Sequence, residues 1–224
     1  MANGETYDGE WHNRKRHGSG KAVFADGSSY EGTFVNNIQE GEGTFLSAVE
    51  GELMYRGQWK SNRYHGDGQL VRSNGESYGG KWKDGLRDGV GRGVLSTGDV
   101  YEGHWVRDRR TAERAVMTYI NGDVYEGCWA DNKRSGADRK TPGKGKLVCA
   151  NGDTFQGFFV DDRKHGVGTH KCAATGDVID GTWENNVSGV RRFRLFSFLF
   201  FSFLFFSLSS AAAALLLLLR FALN

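Results

Sequence analysis

Along most of the chain, apolar and polar positions alternate on a two-residue period. In YDGEW at 7–11, Tyr7, Gly9 and Trp11 alternate with Asp8 and Glu10. In a strand, side chains at i, i+2 and i+4 share one face, so this block predicts a strand with an aromatic face and a solvated one. The block then recurs as YEGTF at 30–34, YRGQW at 55–59, YGGKW at 78–82 and YEGHW at 101–105. YEGCW at 125–129, FQGFF at 155–159 and IDGTW at 179–183 complete the series. The starts are 23, 25, 23, 23, 24, 30 and 24 residues apart. All six tryptophans (Trp11, Trp59, Trp82, Trp105, Trp129, Trp183) hold the fifth position, and Phe34 and Phe159 fill it in the other two copies. With Tyr7, Tyr30, Tyr55, Tyr78, Tyr101, Tyr125 and Phe155 at the first position, these rings are the expected core of an internally repeated fold.

The second half of the unit is equally regular. HGSG at 17–20, EGEG at 40–43, HGDG at 65–68, DGVG at 88–91 and HGVG at 165–168 share one slot, read as a loop. A turn pair precedes most of the following aromatics: Asp26-Gly27, Asn74-Gly75, Thr97-Gly98, Asn121-Gly122, Asn151-Gly152 and Thr175-Gly176. Asn-Gly and Asp-Gly tolerate positive φ and mark hairpins. Segments such as KAVFA at 21–25 and QLVR at 69–72 are expected to pair back on the aromatic strand. The glycine between the two rings leaves bare backbone, over which a ring of the neighbouring hairpin is expected to lie. One hairpin is marginal in water, so stability must come from stacking copies.

Y-x-G-x-W, then H-G-x-G, then a D-G or N-G turn at a 23-residue step, resembles the MORN repeat over about residues 5–189. The resemblance implies an all-β fold, an extended, twisted single antiparallel sheet of about eight stacked β-hairpin repeats. At ~4.8 Å per strand, sixteen strands would span roughly 75–80 Å. Three copies depart from the pattern. Repeat five has Thr111-Ala112-Glu113-Arg114 in the HGxG slot, and repeat six carries extra residues near 135–141. Repeat eight opens on Ile179 and loses the pattern after Trp183, as a capping copy would.

Composition narrows the function. With 33 glycines, one proline and 13% aromatics, the chain fits many short strands and tight turns. Net charge is only +2, too small for a general polyanion binder. Cys128, Cys149 and Cys172 form no CxxC pair and no secretory signal is read, so a reducing cytosolic compartment is expected. No phosphate loop, GxSxG or HExxH occurs, and GVGRG at 89–93 falls on the repeat's own glycine slot. His17, His65 and His165 sit at equivalent places of different hairpins, so a structural hydrogen bond is favoured over metal ligation. Asp8, Glu31, Glu102, Glu126 and Asp180 point away from the rings and read as a solvated face. MORN repeats also precede the catalytic domains of certain lipid kinases and of a SET-type methyltransferase. Only about 35 residues follow the last repeat here, too few for such a core. No enzyme activity, cofactor, metal, nucleic acid or small-molecule substrate is therefore expected.

Basic residues cluster between the two strands of the hairpins: Arg14, Lys15, Arg16, Arg63, Arg87, Arg107, Arg109, Arg110, Lys133, Arg134, Arg163 and Lys164. Apart from Arg63 and Arg87, these are the candidate contacts to an anionic phospholipid surface. The plainer reading is that they keep exposed loops soluble. Domain organisation is read as a repeat array over 1–189 and an apolar tail over 190–224. RRFR at 191–194 leads into an uncharged stretch, Leu195 to Leu219, long enough to cross a bilayer as a C-terminal helix. A tail anchor, translated non-coding sequence and an oligomerisation or membrane-surface segment remain alternatives for it. The leading functional expectation is a cytoplasmic scaffold with protein partners and self-association, associated with cytoskeleton or membrane.

Overall fold

The computed structural model describes residues 4–49, 53–189 and 192–193. Among them every regular element is a strand. In chain order these are β1 (Thr6–His12), β2 (Lys15–Val23), β3 (Ser29–Val35), β4 (Ile38–Leu46), β5 (Leu53–Lys60) and β6 (Arg63–Arg72). β7 (Ser77–Lys83), β8 (Leu86–Val94), β9 (Val100–Val106), β10 (Arg109–Arg110), β11 (Ala112–Thr118) and β12 (Val124–Ala130) follow. The series ends with β13 (Lys133–Arg134), β14 (Gly143–Val148), β15 (Thr154–Val160), β16 (Arg163–Lys171), β17 (Val178–Glu184), β18 (Val187–Gly189) and β19 (Arg192–Phe193). All belong to one antiparallel sheet in which each strand pairs with its neighbours in sequence. Three second strands are split: β10 and β11 both pair with β9, β13 and β14 with β12, and β18 and β19 with β17. The assigned strands thus fill the sixteen positions that eight hairpins require. The C-terminal helical segment expected over 195–219 lies outside the described residues.

Two kinds of turn drive the meander. Inside each repeat a two-residue turn has positive φ at both positions, from Asn13 (+48°) and Arg14 (+61°) to Asn185 (+50°) and Asn186 (+73°). That is the type I′ geometry, whose twist matches the strands it joins. Between most repeats the Gly pair closes a wider hairpin, with Gly27 N–H donating to Phe24 O and Phe24 N–H to Ser28 O. The HGxG slot is not a loop. It lies inside the second strand and forms a bulge, as where pairing shifts between Gly57 and Gln58. Its first glycine takes the left-handed conformation that a bulge demands, +57° at Gly66.

The core is a ladder of rings on one face. Fifteen rings run from Trp11 through Tyr7, Phe34, Tyr30, Trp59 and onward to Phe155 and Trp183, each edge-to-face with the next. A first-position ring meets the fifth-position ring of its own repeat and that of the following one: Tyr78 lies 5.0 Å from Trp82 and 5.4 Å from Trp105. The tyrosine lies along its own strand, over its own glycine, and donates from its hydroxyl to the carbonyl three residues on, as Tyr55 does to Gln58 O at 2.9 Å. This corrects the expected placement: a ring of the same strand covers the glycine. The following repeat instead supplies an indole N–H to the paired glycine's carbonyl, Trp82 Nε1 to Gly68 O at 3.2 Å. Burial pushes the Tyr30 and Tyr78 hydroxyls up to about 12.

Candidate functional site, the cation-roofed aromatic face

The second residue after most of the type I′ turns is a cation that points back over the rings. Arg87 lies 4.2 Å from the Trp105 ring centroid and Arg110 4.9 Å from that of Trp129. Arg16 covers Phe34 and Tyr7, Arg134 covers Phe159 and Tyr125, and Lys164 covers Phe155 and Trp183. These cations are committed to the fold by attraction to the ring faces. Burial lowers the basicity of Arg110 and Lys164.

A second set of bonds ties this position to the following repeat. The second turn residue accepts from its backbone N–H and returns a backbone N–H to its carbonyl. Asn37 does so with Arg16 at 2.8 and 2.9 Å, and Asn132 with Arg110 at 2.9 and 3.0 Å. Asn62, Asp108, Asp162 and Asn186 make the same clip on Gln39, Arg87, Arg134 and Lys164. At the opposite edge Asp99, Asp123 and Asp153 accept from Ile120, Ala150 and Ala173 N–H of the next repeat. Sequence reasoning passed over all of these residues. Their signal was a short amide or carboxylate recurring at one phase of the repeat.

The structure divides the ten candidate lipid contacts. Arg16, Arg110, Arg134 and Lys164 lie over the rings. Arg109 pairs with Asp131 at 3.0 Å, Lys133 with Asp162 at 2.7 Å, and Arg163 reaches Asn185. Arg14, Lys15 and Arg107 are exposed at the hairpin tips with no ion pair among the described residues. Trp11 is the exposed member of the ladder, 52% accessible beside rings that are almost wholly buried.

Asp162 gives a titratable reading of the clip. Burial alone would raise its pKa, but hydrogen bonds from Lys133 and the Arg134 N–H, with both nearby charges, hold it below the usual carboxylate range. Because the native value is depressed, the unfolded chain takes up the proton first on acidification. The stabilisation is present above about pH 4 and is lost as pH falls through the native value. Asp162→Asn keeps the acceptor that Asn37 and Asn186 supply elsewhere but removes the charge. It is expected to cost about 1 kcal/mol at neutral pH and progressively less as pH falls below about 4, read from melting curves of both proteins across that range.

The opposite face is polar. Lys21 pairs with Glu31, Lys81 with Asp67, Arg92 with Glu102 and Arg114 with Glu126 across adjacent strands. Among the described residues no three His, Cys, Asp or Glu side chains group to hold a metal, and no helix is long and apolar enough to cross a membrane.

A single-sheet array of nearest-neighbour hairpins, held by rings, cations and edge clips, is a β-repeat protein of interaction-module type. The chain belongs to the MORN repeat family, whose model matches residues 7–29, 30–49, 55–77, 78–100, 101–111, 125–137, 143–154 and 155–174. MORN repeats are in general modules of protein or membrane interaction, and proteins built of them are generally non-enzymatic scaffolds. Among solved structures, the chain is similar to the TCP10 domain of Danio rerio CPAP, solved with a peptide of Danio rerio STIL. The identity is 14%, over 78% of this chain and 82% of that one, with a TM-score of 0.29.

Proposed function

We propose that this chain is a non-enzymatic scaffold that mediates protein association, including self-association, at a cytoskeletal or membrane-apposed site in the cytoplasm. The observation that carries this reading is how the side chains are used. Rings, roofing cations and turn amides hold neighbouring repeats together, while the polar face and hairpin tips remain available to partners. Unpaired strand edges add a route to self-association. Sedimentation velocity of the full chain over a wide concentration range is expected to show a reversible dimer or larger species. A monomer at every concentration, together with no partner lost on deletion of repeat pairs, would overturn the reading.

A second reading rests on the unpaired tips. Of the ten candidate contacts, Arg14, Lys15 and Arg107 are free to meet the phosphates of an anionic membrane, whereas the roofing cations are not. Vesicles carrying a phosphoinositide should sediment with the protein, and binding should weaken with added salt. Reversing Arg14, Lys15 and Arg107 together to Glu should lower the affinity roughly tenfold, at about 1 kcal/mol per charge discounted for screening. Unchanged binding would remove this reading. If the 195–219 stretch tethers the protein, an alkaline carbonate wash leaves the full chain in the membrane and releases a 1–189 form.

A further inference from the structure

Extra residues part the second strand of repeat six. β13 ends at Arg134 and β14 begins at Gly143, so 135–142 belong to no strand. Within that loop every residue from Ala137 to Pro142 is exposed. Pairing of β14 with β15 starts at Gly143, whereas its pairing with β12 starts only at Gly145, opposite Gly127. Gly143 and Lys144 therefore continue the loop in extended form with no β12 residue paired beside them.

The loop runs out through Thr141-Pro142-Gly143-Lys144. Pro142 is the chain's single proline, so Thr141 is the one hydroxyl residue in the sequence that a proline follows. A proline biases the residue before it towards the extended conformation, the form in which a substrate peptide lies in a protein kinase cleft. It also lacks an N–H. A cleft that offers no acceptor just past the hydroxyl therefore loses nothing with proline, but strands the N–H of any other residue. Lys144, three residues beyond the hydroxyl, is exposed, with its ammonium 5.9 Å from the Phe158 ring centroid.

Asp138 clasps the loop. Its carboxylate accepts from the N–H of Lys140 at 2.7 Å and of Thr141 at 2.6 Å. The Thr141 hydroxyl adds a further bond, and together these hold the Asp138 carboxyl below the usual carboxylate range. Thr141 O accepts from Gly136 N–H at 2.7 Å and from the Ser135 hydroxyl at 3.3 Å, and Arg139 pairs with Asp161. The clasp is made by exposed groups outside the ring ladder, so it can open locally while the sheet stays folded.

We propose that Thr141 is a phosphorylation site for a proline-directed protein kinase that reads a basic residue three positions beyond the hydroxyl, and that the phosphate releases the 135–142 loop. A base of the kinase takes the hydroxyl proton as Thr141 Oγ1 attacks the γ-phosphorus of ATP. The Oγ1–phosphorus bond forms, the bond from that phosphorus to the β,γ-bridging oxygen breaks, and ADP leaves. The product carries about −1.5 to −2 charges at neutral pH on the oxygen that had bonded Asp138. The hydroxyl donor is gone, and a phosphate and a carboxylate of like sign share one turn, so the clasp opens. Gly136, Ala137 and Pro142 wall a hollow of about 1010 Å³ between the irregular strands, and opening takes that wall away. The modification thereby switches the shape of the surface that repeats five to seven present.

The test incubates the folded full chain with ATP and a cyclin-dependent kinase bound to its cyclin. The intact mass should rise by a single phosphoryl group, and peptide mapping should place it on Thr141. Thr141→Ser should keep the incorporation and Thr141→Ala should abolish it. Pro142→Ala and Lys144→Gln should each slow it at least about tenfold, since each removes a feature by which such a kinase tells its substrate from others. All of these positions are exposed and lie outside the ladder, so the variants should melt with the parent chain. No incorporation into the folded chain overturns the site. So does incorporation that survives Thr141→Ala, or that is unchanged by Pro142→Ala or by Lys144→Gln. In hydrogen exchange followed by NMR, the Lys140 and Thr141 amides should exchange roughly tenfold faster after phosphorylation, as their bonds to Asp138 are lost. Unchanged or slower exchange there would overturn the release of the loop.

Discussion

Trp105→Ala is expected to destabilise the array by about 3–5 kcal/mol, the range for removing a fully buried aromatic side chain. Trp105 is 1% exposed and is held on four sides. Tyr78 and Tyr101 meet it edge-on at 5.4 and 5.2 Å, Arg87 lies over its face, and its Nε1 donates to Gly91 O at 3.3 Å. Its loss removes the rung joining repeats four and five, so the two halves of the array are coupled less tightly. In urea followed by circular dichroism, the transition should move to lower denaturant and broaden, since nearest-neighbour arrays lose cooperativity where an interface is cut. Trp11→Ala is the internal contrast. Half-exposed, with Tyr7 and no tyrosine of a preceding repeat beside it, it should cost about 1 kcal/mol for the apolar area it still buries. Equal losses at the two positions would mean that the ladder is not what holds the repeats.

Gly80→Ala is expected to be as damaging, for a different reason. A methyl group there would sit 2.5 Å from Gly91 Cα and 2.6 Å from Val90 O on the partner strand, and 2.7 Å from the Tyr78 hydroxyl. The first two are backbone atoms and cannot rotate aside, so the strands must separate or the bulge reform. A cost of about 3 kcal/mol is expected, at the upper end for overpacking. Gly75→Ala separates this from backbone strain: its φ is +86° and no atom lies within 4 Å of the added carbon. It should cost about 1–2 kcal/mol for the left-handed conformation alone. Chemical denaturation of the two variants decides between them. A Gly80→Ala penalty no larger than that at Gly75 would sink the close-approach explanation.

Much of this was legible in the sequence because it depends on spacing. The fifth-position rings, the central glycines and the eightfold step mark the strands and their aromatic face. What spacing did not reveal was direction and depth. HGxG reads as a loop because two glycines in four residues usually break a strand. Here they let a strand bulge beneath Tyr55 and its equivalents. Basic residues after the turn read as exposed loop charge. Arg87 and Arg110 are strand residues folded back over indoles, a placement set by the strand's alternation once the turn length is known. The irregular strands on either side of β12 were visible only as two departures, Thr111–Arg114 and the insertion near 135–141. That they adjoin follows from the pairing of both segments with β12.

The inter-strand hydrogen bonds run along the direction in which hairpins are added, so a pull on the two ends of the sheet loads them one row at a time. Bonds loaded in series open in sequence and at low force, unlike bonds sheared together. Each repeat should let go as a unit when its ring rung and edge clip part, releasing roughly 80 Å of chain for a 23-residue step. Its neighbours keep their own rungs and can recapture it when the load drops. Under tension such an array behaves as an extensible spacer that yields in equal increments and rewinds.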